Sequence, residues 1–592
     1  MLMRFLSFFF SVCCFLASEA SARPNVIVIM TDDQGWGDLS IHGNTTLETP
    51  HIDRIAREGL QFSHFYLQPV CSPTRAEFLT GRYHPRSGVF STGGGGERVD
   101  TDEETIADVF QKAGYDTGIF GKWHSGSQYP YHPLGRGFNE FYGFTSGHWG
   151  LYFDPMVEHN GAYLRGQGYL PDDLTDRAIQ FIEKNAERER PFFIYLNYNT
   201  PHSPMQVPDR FWEKFESKAI QQQGSQASRE IPLHTQAALA MCENIDWNVG
   251  RIYQQLEDLE IDGETLVLYM TDNGPNGHRW NGGMRGIKGS TDEGGTRSPL
   301  FVLWPGTISP GKVVDEIGGT IDLLPTLADL AEIRFKPKKP LDGVSLKPLI
   351  LGNDPDWPDR KLISSWRGRV SVRNQRFRLD HEGQLYDIGQ DQAQTTDLSE
   401  TYPEIVNELT AFKAAWIDDV YEGQPVKAEG VTETTRPFPV GHEDFGITHL
   451  PARDAEASGS IERSNRWPND SFFRNWISEA DEITWNVEVL TPGLYATEIW
   501  YACPEEDLGS TIELAFMDSS TSAKVLEAHN PPFLGVQYTR SPLYESPVKI
   551  FRRMGLGVIR LEAGRGTLRL KATEIPKGQA LEFRLLSLSR VQ

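Results

Sequence analysis

NVIVIMTDD, residues 25–33, sets an unbroken apolar run against an abrupt polar end. A strand that is apolar at every position, and not at alternate ones, suits burial on both faces, as in a parallel sheet covered by helices. Three more runs end the same way: YDTGIF before GKWH (115–124), PFFIYLNYN before TPH (191–202) and TLVLYM before TDNG (265–274). Helical patterns lie between them, namely IDRIAREGL, TIADVFQKAG, LTDRAIQFIEKNAE and the long stretch around Cys242. This alternation predicts an α/β domain with a mostly parallel sheet sandwiched by helices. Such sheets bind ligands beyond the carboxyl ends of their strands. The polar tails should therefore gather at one rim: Asp32, Asp33, Lys122, His124, His202, Asp272 and Asn273.

Working outward, the α/β signals span residues 23–345. Residues 346–421 then read as a small α+β subdomain, with short strands through WRGRVSVRNQRFRLDHEGQLYDI and a helix through EIVNELTAFKAAWIDDVY. Residues 422–455, rich in Pro, Glu, Thr and Gly, read as a linker, and 456–592 as an all-β sandwich. The N-terminus, MLMRFLSFFFSVCCFLASEASARPN, has a thin positive start, an apolar core and Ala20-Ser21-Ala22. That pattern is expected of a signal peptide, residues 1–22, and predicts an exported, periplasmic or extracellular protein. The apolar run is too short to span a bilayer. No later stretch is apolar enough to cross one.

The formal net charge is −24, which argues against a nucleic-acid partner but leaves room for a local cationic pocket. Of five cysteines, two leave with the signal. Cys71, Cys242 and Cys503 are too scattered for a disulfide framework. Cys242 and Cys503 fall in apolar patterns and read as small core residues.

At the rim, Asp32, Asp33, Asp272 and Asn273 are hard oxygen donors suited to Ca²⁺, with Mg²⁺ the less apt ion. Arg75, Lys122, His124, His202 and Lys288 add cations and proton carriers, and together describe a site for a tetrahedral oxyanion. Cys71 does not fit this chemistry as a thiolate, because hard cations prefer oxygen.

The segment Cys71-Ser72-Pro73-Thr74-Arg75, followed by Leu79-Thr80-Gly81-Arg82, resembles the signature of type I sulfatases, the formylglycine-dependent branch of the alkaline phosphatase superfamily. The resemblance runs over roughly 25–420 through TPHIDRIAREGLQFSHFY, GYDTGIFGKWH, NTPHSP, TDNG and RGIKGSTDEGGTRSPLFVLWPG. Ser125 departs from it, where many relatives carry Leu. The resemblance implies that a maturation enzyme oxidises Cys71 to formylglycine at the head of a helix beginning near Arg75. It implies calcium held by Asp32, Asp33, Asp272, Asn273 and modified residue 71. Arg75 and Lys122 would hold the formylglycine, and Lys122, His202 and Lys288 the sulfate oxygens. His124 would be the base that releases sulfate, and either His202 or Lys288 would protonate the leaving alcohol. The hydrated aldehyde offers two hydroxyls, one to attack sulfur and one to lose a proton when sulfate leaves. That resolves the thiolate mismatch.

The expected activity is hydrolysis of sulfate esters. A phosphate or phosphonate hydrolase of the same superfamily and a non-catalytic glycan binder are the alternatives. Export and an appended β domain point to a sulfated carbohydrate substrate. His148, Trp149, Trp280, Arg279 and Arg285 are candidate substrate contacts: aromatic rings can stack on sugars, and cations can meet a second anionic group. The β domain could equally pack against the catalytic unit or bind glycan.

Overall fold

The computed structural model describes residues 23–352, 357–421, 436–542 and 546–591; the expected signal peptide lies outside them. One large sheet has ten strands: β1 (Asn25–Thr31), β2 (Leu60–Phe62), β3 (Asp116–Lys122), β4 (Glu140–Phe144), β5 (Met156–His159), β6 (Ala162–Arg165), β7 (Phe192–Asn197), β8 (Thr265–Thr271), β9 (Leu300–Leu303) and β10 (Lys312–Val314). Their order is β10-β2-β9-β8-β1-β7-β3-β4-β5-β6. The five central strands, β8 to β4, run parallel. Antiparallel strands extend both sides.

Every residue of β1 is buried, and its side chains divide between two layers. Val26, Val28 and Met30 pack against the helices Cys71–Thr80, Ile106–Lys112 and Leu323–Leu330. Ile27 and Ile29 pack on the other face against Pro50–Glu58, Leu170–Ala186 and Pro232–Asp258. That is why the run shows no alternation. A one-residue slip would exchange the two faces and pull Asp32 into the sheet, so burial on both sides fixes where the strand ends.

The subdomain carries a four-stranded antiparallel sheet (Leu362–Trp366, Arg369–Arg373, Phe377–Leu379, Leu385–Asp387) and the helix Pro403–Tyr421. Beyond it, two facing sheets enclose one apolar core. Their strands alternate as a half-buried sheet should: in Glu482–Val489, Ile483, Trp485, Val487 and Val489 point inward.

Part of the expected linker belongs to this sandwich. Phe438–Val440 pairs in parallel with Val487–Val489, and Ile447–Pro451 pairs antiparallel with Leu585–Ser589. Short segments broken by Pro and Gly look like a crossing by composition, yet they cover otherwise open sheet edges. Residues 422–435 of the expected linker lie outside the described residues.

Cys242 and Cys503 are free, buried core residues. No helix among the described residues is long and apolar enough to cross a membrane.

Candidate active site

Two neighbouring strands deliver the acidic cluster. Thr31 and Thr271 are partners at the last paired position of β1 and β8, so Asp32 and Asp272 leave the sheet side by side. The next residues interlock: the Asp33 N–H donates to Asp272 Oδ1 at 3.2 Å, and Asn273 Nδ2 donates to Asp33 Oδ1 at 2.8 Å. Asp33 adopts a left-handed backbone, φ +64°, an uncommon state that persists where surrounding contacts over-determine it.

Fixed cations face these carboxylates. Lys122, ending β3, donates to Asp32 Oδ2 at 2.8 Å. Lys288 Nζ lies 2.6 Å from Asp33 Oδ1. Arg75 donates to Asp272 Oδ2 at 2.9 and 3.2 Å and to the Lys122 carbonyl at 3.2 Å. Burial opposes ionisation of Asp33 and Asp272 alike. His202, Lys288 and Lys122 nonetheless hold the Asp33 carboxyl well below the usual range, and Arg75 and Lys122 hold Asp272 low. Burial outweighs Lys122 at Asp32, whose carboxyl is pushed well up, helped by Asp272 and Asp33. Such a group needs more positive charge to stay ionised.

Two buried oxygens, Asp32 Oδ1 and Asn273 Oδ1, have no hydrogen-bond partner among the described residues. Donor atoms of Asp32, Cys71 and Asp272 lie within 4.8 Å of one another, as do those of Asp32, Asp33 and His202. Orphaned oxygens among converging carboxylates fit a hard divalent cation. Three carboxylates oppose three cations here, so a divalent ion would turn a balanced cluster into an anion-binding one.

Cys71 is the first residue of the helix Cys71–Thr80, four residues earlier than expected, and Pro73 is accommodated in the first turn. The positive end of the helix dipole therefore sits at residue 71. Cys71 lines a 430 Å³ cavity with His124, His148, His202 and Lys288.

His124 also has a left-handed backbone, φ +59°. Its Nε2–H donates to the Thr92 carbonyl at 3.0 Å, leaving Nδ1 buried without a partner. Burial and Lys122 keep this imidazole neutral, so Nδ1 carries a free lone pair. Gly147 packs flat on the ring: a Cβ there would lie 2.2 Å from Nε2. His202 donates Nδ1–H to the Ser203 carbonyl at 2.7 Å and sets Nε2 3.5 Å from Asp33. Burial lowers its pKa to about 3. His148 lies beside it, Nδ1 to Nδ1 at 3.3 Å.

All ten residues proposed for metal, nucleophile, oxyanion and proton transfer thus come together. Among the five candidate substrate contacts, His148 reaches the cavity and the others do not. Trp149 stacks on Phe144 and lies near Arg584 of the sandwich. Trp280 is half-buried away from the cavity. Arg279 is buried, grips Asp38 at 2.6–2.9 Å and donates to the Asp33 carbonyl at 2.9 Å. It braces the acidic cluster from behind. Arg285, on the wall of an adjoining cavity, commits its two terminal nitrogens to Asp292, Asp380 and Tyr386.

Sequence reasoning missed part of the wall. Trp366 and Arg367 of the subdomain, and Arg466, Trp467 and Asn469 of the sandwich, line the same cavity. No local motif marks them.

A sequence profile described as Sulfatase matches residues 24–333. The chain belongs to the sulfatase family. This sulfatase is 32% identical over 371 residues to the N-acetylgalactosamine-6-sulfatase of Mus musculus, covering 57% of this chain and 68% of that one. It is 33% identical over 411 residues to arylsulfatase A of Homo sapiens, covering 61% and 76%. Its fold is similar to that of Ps i-CgsB, solved in complex with k-i-k-neocarrahexaose, with TM-score 0.61 and 28% identity, covering 70% of this chain and 96% of the other. The sulfatase is accordingly a sulfuric ester hydrolase.

Proposed function

We propose that this sulfatase is exported and removes sulfate from a sulfated carbohydrate, using formylglycine made from Cys71 and a calcium ion. One observation carries this reading. Residue 71 heads a helix within ligand reach of Asp32 and Asp272, on a cavity that also holds His124, His202 and Lys288. The relatives' names support the substrate class: one is an N-acetylgalactosamine-6-sulfatase, and one neighbour was solved with a neocarrahexaose.

Asp32, Asp33, Asp272 and Asn273 would hold the calcium. When bound, it would polarise an oxygen on residue 71 and favour negative charge there. Formylglycine would supply that oxygen as an aldehyde hydrate with a second hydroxyl to spare. Arg75 keeps Asp272 ionised and oriented. Lys122, Lys288 and His202 surround the place where sulfate oxygens gather charge, and preorganised donors are worth most there. Of the two candidates to protonate the departing alcohol, Lys288 carries a proton to give, whereas His202 is neutral with its proton turned to the Ser203 carbonyl. His124, neutral with its lone pair at Nδ1, would take a proton from residue 71 as sulfate leaves.

The test pairs two measurements on protein co-produced with a maturation enzyme. Peptide mass across residues 70–75 should show the aldehyde in place of the thiol. Sulfate release from defined sulfated oligosaccharides should then follow the aldehyde content. Active protein with an intact Cys71 thiol would refute the nucleophile, and activity confined to small aryl sulfates would refute the carbohydrate substrate.

A further inference from the structure

The cavity over Cys71 is not closed by the catalytic domain alone. The sandwich sends its 464–469 loop onto the rim, where Trp467 leaves 46% of its surface exposed and the Arg466 guanidinium sits 4.4 Å over its ring. This loop is anchored. Asn469 donates to the Thr92 carbonyl at 3.0 Å, and the next residue, Asp470, accepts from the Gly150 N–H and from Arg584. An exposed tryptophan on an anchored loop beside a polar cavity serves no packing purpose that these contacts reveal.

The opposite rim is strained. Arg367 and Gly368 form a two-residue hairpin loop between paired Trp366 and Arg369, with φ +49° and +79°. Loops of this type favour Asn, Asp or Gly at both positions. An arginine in the left-handed region costs about 1–2 kcal/mol, and such strain tends to persist at functional sites. Here it holds Arg367 out over the cavity.

A second cavity, of 620 Å³, shares Lys288, Gly289, Trp366 and Arg367 with the first, so the two form one groove. Its wall adds Arg229 and Arg369. Among the described residues Arg229, Arg367, Arg369 and Arg466 are exposed and make no ion pair with a carboxylate. Asp292, the acid on that wall, is paired with Arg285. Four unneutralised arginines along one groove run against a chain carrying 81 acidic and 57 basic residues. A cleft of one sign in a protein of the other focuses field on a ligand of opposite charge.

We infer that this groove is an extended subsite for a polyanionic glycan. Trp467 is the platform for a sugar ring adjoining the reacting one, and Arg367 and Arg466 contact a second sulfate or carboxylate group. The inference rests on the sulfated-carbohydrate reading above and adds to it that the substrate carries several anionic groups. It assigns the sandwich a direct part in choosing that substrate. Trp467, Arg466 and Arg367 are specificity residues, apart from the reacting atoms.

Binding to full-length C71A tests this without turnover. Calorimetry would compare carrageenan, chondroitin sulfate and dextran sulfate hexasaccharides with their disaccharides and with inorganic sulfate. At least one hexasaccharide should bind tenfold or more tighter than its disaccharide. W467A and R367A should each erase fivefold or more of that preference, and R466A should flatten its salt dependence. W467F, which keeps a ring, should retain most of it, with melting temperatures reporting that each variant folds. No hexasaccharide preference, or one indifferent to W467A and R367A, overturns the inference. Sulfate release by the matured wild type is scored separately. Release without chain-length preference breaks only the subsite, whereas binding without release breaks only the proposed reaction.

Discussion

The carboxyl ends of the parallel strands and the rim of the sandwich face one cavity, but they are built by opposite means. At the strand ends Asp32, Asp33, Asp272 and Lys122, with Arg75 from the helix beside them, are at most 1% exposed and hydrogen-bonded to one another. The sheet and that helix set their places, and none can move without leaving a buried charge uncompensated. At the rim Arg466, Trp467 and Arg367 are exposed and few contacts hold their side chains. The difference matches the roles proposed for them. Charge developing at sulfur needs donors that are already in position, while recognition of a chain of sugars tolerates adaptable side chains.

The largest break in that comparison is at residue 71. Cys71→Ser, left unmodified, keeps one hydroxyl and lacks the second. Multiple-turnover sulfate release should fall by at least about 10³-fold, the scale on which loss of a nucleophile is felt, with the melting temperature little changed. Normal turnover by this variant would show that the buried cluster does not work through an aldehyde hydrate.

Next is Asp272→Asn. It removes a proposed calcium donor and the carboxylate that Arg75 grips with two donors. Leaving one partner of a buried pair uncompensated costs about 3–5 kcal/mol. The variant should therefore melt well below wild type and lose activity even in excess calcium. Chelator should lower the melting temperature of wild type and leave that of D272N unmoved. A chelator effect of equal size on both would remove Asp272 from the calcium site.

The strand ends were legible in sequence because the apolar run and its polar stop share one cause. Burial on both faces forces the chain to shed its charges at the sheet's edge, so NVIVIM before TDD and TLVLYM before TDNG already imply where four acidic-cluster residues lie. The rim was not legible in the same way. Trp467 and Arg367 are separated from Cys71 by 396 and 296 residues, and their meeting depends on how three units dock. Arg279 shows the opposite error. An arginine beside an anion site reads as a ligand contact, yet its fork is spent on Asp38 and the Asp33 carbonyl. Nothing in GHRWNGG indicates that Asp38 is its partner.

If Arg279 braces the calcium cluster, Arg279→Lys should weaken calcium affinity about 10–100-fold, as loss of a supporting partner does. High calcium should restore kcat, with KM for substrate little altered. A raised KM that calcium cannot correct would return Arg279 to the substrate contacts.

The smallest effect lies where the two regions touch. Thr92 O accepts from His124 Nε2 and from Asn469 Nδ2, each at 3.0 Å, and the Gly147 N–H approaches Asn469 Oδ1 at 3.4 Å. One sandwich side chain thus holds both the carbonyl that orients the proposed base and the backbone that covers it. Asn469→Ala removes hydrogen bonds worth about 1 kcal/mol each, so kcat should fall roughly fivefold. Asn469→Asp keeps an acceptor for Gly147 but sets a carboxylate against the Thr92 carbonyl, and should do no better. KM for a sulfated oligosaccharide should change by less than twofold in either variant. Trp467→Ala, two residues away on the same loop, should do the reverse and raise KM with kcat nearly intact. Opposite signatures from neighbours would mean that the loop serves the buried cluster through Asn469 and the substrate through Trp467. If both variants shift the same constant, the loop acts as one unit and the contrast between rim and cluster ends at the domain boundary.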